Sequence, residues 1–443
     1  MKNPLPTAAW LILLLALLLR VGYMVATPGY ELVHDATDYD RAARTVAAGD
    51  GWPLAHGRAT TFRPPAYPLL LAGVYKVAGV EHGTKHERVV PARLLGILIG
   101  TLIAAMIGVI ARQLWGRRVM LLAMAGAAVY IPLILVGGAV MSEPLFVVLM
   151  LAALVAAVHH RGSVHRYRFA ILAGVLGGLA ILTRANALVL LGPLAFAAWD
   201  ARPRLSRRAL GPPIALVVAG LLTVAPWTAR NAIVLDSFIP VSTQLGSALA
   251  GTYNDAARTD RENPASWRSL KRVPDYAYLM RQARETPEPV LERRLREASL
   301  DYIAEHPFYV FKVGWWSTLR MLDLAGRDWS RHTASTISVD RDWADAGVIC
   351  FWIFALLALA GALTGRARRA PVFLWVVPAL MFLSVVFLVV ETPRYRSAID
   401  PFVVLLAGLA LMLPLRGAAG TALAPLSAER RRGRVSQRAR ARP

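Results

Sequence analysis

The chain has 443 residues, 56% of them hydrophobic, with a mean hydropathy of +0.46 and a formal net charge of +22. One soluble core of this length does not normally hold so much apolar material, so the composition excludes an ordinary soluble protein and predicts an integral membrane protein. The single cysteine, Cys350, excludes an intramolecular disulfide and a cysteine-based metal site.

The first apolar run, residues 10–26, approaches the roughly 20 apolar residues that cross a hydrocarbon core. Because only a weak cleavage site follows it and many more apolar runs come after, we interpret it as a retained helix and not as a signal peptide. The predicted fold is an all-α polytopic membrane protein with about ten spans. The nine further runs lie at 91–111, 119–138, 140–158, 169–183, 186–199, 212–229, 346–364, 371–390 and 398–415.

Two of these runs, on either side of residues 183–186, are short for full crossings and also fit a hairpin that does not reach the far side of the membrane.

Arginine placement predicts the orientation of the chain. Four short loops are strongly basic, and they lie at 112–118, 159–168, 200–208 and 365–369. Because positive residues concentrate in short cytoplasmic loops, both termini are predicted to be cytoplasmic. The two long loops, 27–90 and 233–345, mix acids and bases almost evenly and are predicted to be extracytoplasmic.

These boundaries predict one transmembrane domain over residues 1–415 and a basic, disordered cytoplasmic tail over residues 416–443. Anionic membrane lipid is the predicted partner of the tail. Nucleic-acid binding is the rival interpretation of the net charge, and we reject it because no soluble domain presents the basic residues.

The first long loop opens on the acidic stretch HDATDYD, residues 34–40. Small and apolar residues then recur at helical spacing as far as Gly49, which predicts a short helix near the membrane surface. Pro64 and Pro65 predict an extended turn before a stretch that runs along the interface. In the second long loop, residues 301–322 suit an amphipathic interfacial helix.

In their order relative to the spans, six motifs resemble the polytopic GT-C glycosyltransferases of the lipid A aminoarabinose transferase and protein O-mannosyltransferase type. The motifs are DATDYDRAA (35–43), FRPPAYPLLLA (62–72), MSEPLF (141–146), LTRAN (182–186), EHPFYVFKVGWW (305–316) and ETPRYRSAIDP (391–401). The resemblance implies transfer of a sugar, with inversion, from a polyprenyl-phosphate carrier to a lipid, glycan or protein acceptor. The active site would lie on the extracytoplasmic face of the inner (plasma) membrane.

A carboxylate near the acceptor hydroxyl is a natural general base for such a transfer. In the family the catalytic aspartate lies at the end of the first span, four residues before an aromatic or similar residue, and Asp35 stands in that relation to Tyr39. Asp38, one helical turn further on, is the second candidate base. The alternative is that both acids only stabilise the N-terminus of the surface helix.

Guanidinium groups bind phosphate oxygens bidentately and stay charged. Arg63 aligns with the basic residue that contacts the donor phosphate in aminoarabinose transferases; alternatively it is an interfacial arginine that extends toward lipid headgroups. Arg184, at the apex of the short hairpin, and Arg394 and Arg396, near the last span, are further candidates for the donor phosphate. Glu391 is a candidate partner for one of these arginines and, like Tyr39, a candidate substrate-orienting residue.

Glu143 lies in an apolar context that gives it no surface role, so it is a candidate for orienting the sugar or acceptor, or for holding a metal. Some relatives place a metal-binding glutamate before the basic residue of the Pro-Pro motif, but Phe62 stands there in this chain. We predict no required cofactor and no metal site, and leave a divalent metal open. His34, His56 and His306 lack the spacing of a histidine metal site.

Two other classes of membrane protein compete with the transferase. A lipid or lipid-linked sugar transporter or flippase would commonly show matching halves and charges near mid-membrane, whereas here the charges gather at the ends of spans. A membrane scaffold explains the spans but leaves the acids beside Arg-Pro-Pro without a purpose.

Overall fold

The structure is a computed structural model that describes residues 5–161, 165–199, 203, 205–387 and 393–413. Twenty α-helices and one small hairpin make up most of this part of the chain. The helices before the second long loop are α1 (Thr7–Ala26), α2 (Asp35–Ala48), α3 (Ala66–Ala78), α4 (Lys85–Trp115), α5 (Arg117–Val129), α6 (Ile131–Gly138), α7 (Glu143–His160), α8 (Arg166–Thr183), α9 (Leu191–Ala198) and α10 (Arg207–Leu235).

The remaining elements lie in and after the second long loop, apart from the hairpin. The helices are α11 (Gln244–Thr252), α12 (Asp255–Thr259), α13 (Ala277–Arg281), α14 (Glu288–Glu305), α15 (Tyr309–Met321), α16 (Arg327–Ser335), α17 (Arg341–Ala362), α18 (Gly365–Arg368), α19 (Val372–Val386) and α20 (Asp400–Ala410). The 3-10 helices are Ala185–Leu190, Leu270–Arg272, Pro274–Tyr276 and Pro393–Ala398. The hairpin pairs β1 (Leu54–Ala55) with β2 (Arg58–Ala59), antiparallel.

Among the described residues, six helices are long and apolar enough to cross a membrane, namely α1, α4, α7, α8, α10 and α17. The pair α5 and α6, bent by 55°, brings this to seven if it counts as one span. Shorter apolar helices are α3, Ala185–Ala198, α19 and α20. The chain is therefore an all-α polytopic membrane protein, as predicted, while about ten spans stays a prediction.

Small residues let α8 and α10 pack closely. A Cβ atom at Gly174 would lie 2.1 Å from the carbonyl oxygen of Leu216, and one at Gly178 would lie 2.6 Å from the Cβ of Thr223. Without side chains at these positions the two backbones can approach closely. Helices in a membrane often associate in this way, because no hydrophobic effect drives them together in lipid.

A buried arginine supports the break between α5 and α6. Pro132 has no N–H to donate to the carbonyl of Ala128, so the end of α5 is left with free acceptors. Arg20 of α1, which is 1% exposed, donates to the carbonyls of Ala127 at 3.1 Å and Ala128 at 3.4 Å. This intramembrane charge therefore has a structural role in the break.

The single cysteine, Cys350 of α17, lies at the same break. Its Sγ accepts a hydrogen bond from the N–H of Ile131 at 3.4 Å and lies 4.0 Å from the carbonyl oxygen of Val129. The break in the helix thus has polar partners on two sides, and α6 leads from it to the start of α7.

The predicted surface helix in the first loop is α2, which begins at Asp35 and ends where Gly49 adopts a left-handed conformation with φ of 90°. The predicted single helix over 301–322 is wrong in one respect. It is split into the end of α14 and α15, with His306, Pro307 and Phe308 between them. Proline at 307 cannot donate the helical hydrogen bond and disfavours helical geometry at the preceding residue.

The predicted tail, 416–443, and the candidate Glu391 lie outside the described residues. The domain boundaries at 415 and 416 stay predictions.

Candidate functional site

A tight turn places the first residue of α2. The N–H of Ala36 donates to the carbonyl of Val33 at 3.0 Å, and between them His34 has φ of 45° and ψ of −118°. A residue with a side chain pays on the order of 1–3 kcal/mol for such a conformation, and this kind of strain often accompanies functional sites. The turn brings Asp35 against two arginines from distant parts of the chain.

Asp35 lies between Arg63 and Arg394. Its Oδ1 accepts from Nη2 of Arg63 at 2.5 Å, and its Oδ2 accepts from Nη2 of Arg394 at 2.6 Å. Each carboxylate oxygen is therefore engaged by a different guanidinium. The predicted base and two of the predicted phosphate-binding arginines come together at one point.

Asp38 shares the first of these arginines. Nη2 of Arg63 lies 2.9 Å from Oδ2 of Asp38, and Nε of Arg63 donates to the same oxygen at 3.2 Å. The guanidinium also lies over the rings of Tyr39 at 5.4 Å and Phe62 at 5.1 Å. His34 makes no capping hydrogen bond with its side chain, and both acids are used by Arg63, so capping alone does not describe their contacts.

Glu143, the first residue of α7, completes the group with Arg184. Nη1 of Arg184 lies 2.8 Å from Oε1 of Glu143, and Nε of Arg394 lies 3.6 Å from the same oxygen. Glu143 is 1% exposed, so these guanidinium groups compensate a buried charge. We call the six charged side chains the site cluster; its members are Asp35, Asp38, Glu143, Arg63, Arg184 and Arg394.

Two polar residues that sequence reasoning did not single out connect the site cluster. Ser142 accepts a hydrogen bond from the hydroxyl of Tyr39 at 3.0 Å and lies 3.5 Å from Nη1 of Arg184. The ring of Tyr395 lies beneath the guanidinium groups of Arg184, at 4.6 Å, and Arg394, at 5.0 Å. The only sequence signals were their positions, beside Glu143 and between two arginines.

The charges around Asp35 fix its protonation state. Burial acts to raise the pKa of the Asp35 carboxyl, but the guanidinium groups of Arg394 and Arg63 outweigh burial and hold that pKa well below its usual range. The carboxylate is therefore ionised at neutral pH, and its basicity is reduced by its partners.

Arg396 lies apart from the site cluster. Its Nη1 contacts Oδ2 of Asp323 at 2.7 Å, and its Nε contacts Oδ1 of Asp400 at 3.2 Å. The hydroxyl of Tyr130 donates to Asp400 at 2.9 Å. We call Asp323, Arg396 and Asp400 the closed cluster, because their side chains are 4% exposed or less. The prediction that Arg396 binds the donor phosphate has no support in this geometry, since buried carboxylates already engage its guanidinium.

A residue of the second long loop, Glu288, holds the segment that precedes Arg63. The hydroxyl of Thr60 and the N–H of Thr61 donate to its carboxylate, the latter at 2.9 Å, and the hydroxyl of Thr243 donates at 2.6 Å. The two long loops thus meet just before Arg63. No local pattern marks Glu288 within its evenly charged loop.

A pocket of ≈ 70 Å³ is lined by all three members of the closed cluster and, from the site cluster, by Arg394. Most of its apolar wall comes from α6, α17 and the segment between α16 and α17, among them Leu135, Ile337 and Val348. The pocket therefore joins an apolar wall to the guanidinium group that contacts Asp35.

Within the described ranges there is no group of three or more histidine, cysteine, aspartate or glutamate side chains that could hold a metal ion. The carboxylates of the site cluster have arginines as their charged partners.

Residues 62–229 match the family model described as "Dolichyl-phosphate-mannose-protein mannosyltransferase", which is less than half of the chain. The match contains the Arg-Pro-Pro motif, α7 with Glu143, and Arg184 between α8 and the 3-10 helix Ala185–Leu190. A comparison with curated proteins by sequence finds no match.

Among solved structures, the chain is similar to the oligosaccharyltransferase AglB of Archaeoglobus fulgidus in complex with an inhibitory peptide and a dolichol-phosphate. The TM-score is 0.55 at 13% identity, covering 93% of this chain and 52% of the archaeal chain. The apo form gives 0.55 at 11% identity, covering 93% and 51%. This chain therefore spans about half the length of the archaeal enzyme that it matches.

The ArnT protein of Cupriavidus metallidurans bound to undecaprenyl phosphate matches with a TM-score of 0.45 at 16% identity, covering 93% of this chain and 80% of that one. The similarity to the archaeal enzyme extends over nearly the whole of this chain. The predicted resemblance is therefore confirmed at the level of the fold, which is that of the archaeal oligosaccharyltransferase over nearly the whole of this chain.

Proposed function

We propose that the protein is a membrane glycosyltransferase that moves a sugar from a polyprenyl-phosphate carrier to an acceptor hydroxyl of a lipid, glycan or protein. Asp35 acts as the general base, and Arg63, Arg394 and Arg184 bind the donor phosphate. Transfer proceeds with inversion. The reaction needs no cofactor in this proposal.

The observation that carries the proposal is the position of Asp35 between Arg63 and Arg394, at 2.5 and 2.6 Å. A guanidinium pair suits a departing phosphate, because the leaving oxygen gains negative charge as the bond to the sugar breaks. A carboxylate that neighbours this pair suits removal of the proton from an acceptor on the other side of the sugar.

Direct displacement explains the inversion. The acceptor attacks the anomeric carbon from the side opposite the phosphate, so the configuration at that carbon is reversed. Tyr39 and Glu143, both in contact with the arginines of the site cluster, orient the substrates. Asp38 has a supporting role, since it shares Arg63 with Asp35.

The comparisons with known proteins support a lipid-linked donor. The matching family model carries dolichyl-phosphate-mannose in its description, and the archaeal enzyme of similar fold was solved with a dolichol-phosphate. The family model matches part of this sequence, and the archaeal enzyme is similar in fold.

The proposed orientation places the site on the extracytoplasmic side of the inner membrane. The two long loops hydrogen-bond to each other at Thr61 and Thr243, so they share one side. The basic loops 112–118, 159–168, 200–208 and 365–369 would then be cytoplasmic, in keeping with the positive-inside rule. The basic tail would meet anionic lipid on that face.

The test is turnover by purified protein in nanodiscs. The full chain is incubated with a panel of undecaprenyl-phosphate and dolichyl-phosphate sugars, with crude membranes as the source of acceptor. Release of free polyprenyl phosphate is measured for the wild type and for Asp35→Asn. We expect turnover with one donor and a loss of at least about 1,000-fold in the variant, the order expected when a base and its proton transfer are removed.

Asp345→Asn is the matched control. Asp345 also lies between two arginines, Arg327 and Arg331, but outside the site cluster, and its neutralisation is expected to leave turnover unchanged. Absence of turnover with every donor, or wild-type turnover by Asp35→Asn, would contradict the proposal. A lipid transport assay would then follow.

A further inference from the structure

The charges of the site cluster balance without any substrate. It holds three carboxylates and three guanidinium groups, and the described side chains that face it add only Arg41, which is 3.5 Å from Asp38 and half-exposed. An incoming lipid phosphate brings further negative charge into this balanced group. The guanidinium groups that would receive it are already in use.

Asp35 is the group that would compete with the phosphate for these guanidinium groups. It alone among the three acids places its two oxygens on two different phosphate-binding arginines, at 2.5 and 2.6 Å. Two non-bridging phosphate oxygens offer the same arginines a similar pair of acceptors. Phosphate and carboxylate are therefore competitors for Arg63 and Arg394.

We propose that Asp35 is masked by Arg63 and Arg394 in the resting protein, and that the phosphate of the donor displaces it and so releases the base. This inference rests on the proposed function and adds to it an order of events. The carboxylate becomes free to accept a proton only when a donor occupies the site. A chain without donor holds its base inactive.

Displacement also makes the base stronger. In the resting state the two guanidinium groups keep the pKa of Asp35 low against the opposing influence of burial. When those groups turn to the phosphate, burial remains and the pKa rises. A raised pKa favours proton transfer from the acceptor.

The same competition assists product release. During transfer the bond from the anomeric carbon to the phosphate oxygen breaks and its electron pair stays on the phosphate. A bond forms from that carbon to the acceptor oxygen, and the acceptor proton passes to Asp35. When Asp35 loses this proton to solvent, its carboxylate pairs again with Arg63 and Arg394 and displaces the lipid phosphate.

Binding of undecaprenyl phosphate to the full chain in nanodiscs tests the masking. Asp35→Asn is expected to bind it about tenfold more tightly than the wild type, because a charge-assisted competitor for two guanidinium groups is removed. Asp38→Asn, which frees contacts of Arg63 only, is expected to gain less than about threefold on the same grounds. Asp345→Asn, the two-arginine carboxylate outside the site, is expected to bind as the wild type does.

A second measurement uses the wild type and so does not depend on the folding of a variant. Dicyclohexylcarbodiimide labels protonated carboxyl groups, and the masked Asp35 should resist it. Addition of undecaprenyl phosphate is expected to raise labelling of Asp35, read by mass spectrometry, at least about fivefold as its pKa rises.

Unchanged or weaker binding by Asp35→Asn would overturn the masking, as would an equal gain in Asp38→Asn, which would indicate a general charge effect. Labelling that is unchanged by the lipid phosphate would also overturn it. These readouts need no turnover. Masking can therefore fail while transfer is observed, and transfer can fail while the order of affinities is found.

Discussion

Arg394 and Arg396 leave the same 3-10 helix two residues apart, yet they enter two different ionic groups. Arg394 shares Asp35 with Arg63, and its side chain is 12% exposed beside the 22% of Asp35. Arg396 is 4% exposed and is held by Asp323 and Asp400, which are 3% and 2% exposed. One arginine is open to exchange of partners and the other is enclosed.

The difference lies in charge balance and in access. The closed cluster has two carboxylates for one guanidinium, a hydrogen bond from Tyr130 and a carbonyl partner at Met321, 2.7 Å from Arg396. An anion could bind Arg396 only by displacing these nearly buried carboxylates. The site cluster is balanced and partly exposed, and these two properties are the basis of the proposal that a phosphate replaces one of its carboxylates.

The largest effect is expected when the closed cluster is broken. Arg396→Met leaves Asp323 and Asp400 as buried carboxylates without a cation, which typically costs about 3–5 kcal/mol. The variant should lose folded protein, seen as a lower yield and a lower unfolding temperature in detergent. If Arg396→Met were fully stable and bound the donor less tightly, Arg396 would be a residue of the donor site.

The next largest effect belongs to the other arginine of the same segment. Arg394→Ala is expected to lower turnover by about 100- to 1,000-fold, the usual loss when one group that stabilises developing charge is removed. Its unfolding temperature should fall less than that of Arg396→Met, because Arg63 and Arg184 still face the carboxylates. Steady-state release of polyprenyl phosphate measures the first quantity and thermal unfolding the second.

Most of the fold could be predicted from the sequence, because long apolar runs with few charges leave few alternatives to membrane helices. The break before Ile131 could not be predicted, although Pro132 lies within the predicted run 119–138. Proline is tolerated in membrane helices wherever other groups satisfy the freed backbone groups. Only the structure identifies Arg20 as the donor to the freed carbonyls and Cys350 as the acceptor for the N–H of Ile131.

The site was accessible in part. Asp35, Arg63, Glu143 and Arg184 were found from motifs, and the structure brings them together. Arg394 and Arg396 stand in one motif and have the same chemistry, so the sequence could not separate them. Asp400 is only four residues from Arg396, but Asp35, Glu143 and Asp323 lie far from both arginines along the chain, and only packing decides which of these carboxylates each arginine meets.

A smaller effect is expected from the support of Arg63. Glu288→Ala removes the acceptor shared by Thr60, Thr61 and Thr243 and should loosen the segment that carries Arg63. We expect KM for the donor to rise about tenfold, as for loss of hydrogen bonds to a charged group, with kcat less affected. Glu292→Ala, one turn further along α14, is the control. An equal rise of KM in both variants would contradict a specific role for Glu288.

The smallest effect is a displacement between two pH profiles. Because Arg394 and Arg63 hold the pKa of Asp35 low in the free protein, kcat/KM should stay flat as pH falls through the ordinary carboxylate range. In the donor complex the arginines are occupied and the pKa is higher, so kcat should fall at a higher pH. Coincident acid limbs for kcat and kcat/KM would show that Asp35 keeps its partners when donor binds.

The pairing of Asp35 with Arg394 joins residues 359 positions apart. During synthesis the acid leaves the ribosome long before its second arginine, so the site is completed only when the final helices have been inserted. Contacts of such sequence separation are slow to form, and domains are assembled from the N-terminus onward. If the proposed function holds, activity requires completed biogenesis, because a chain arrested before residue 394 can carry most of the membrane helices and still lack the site.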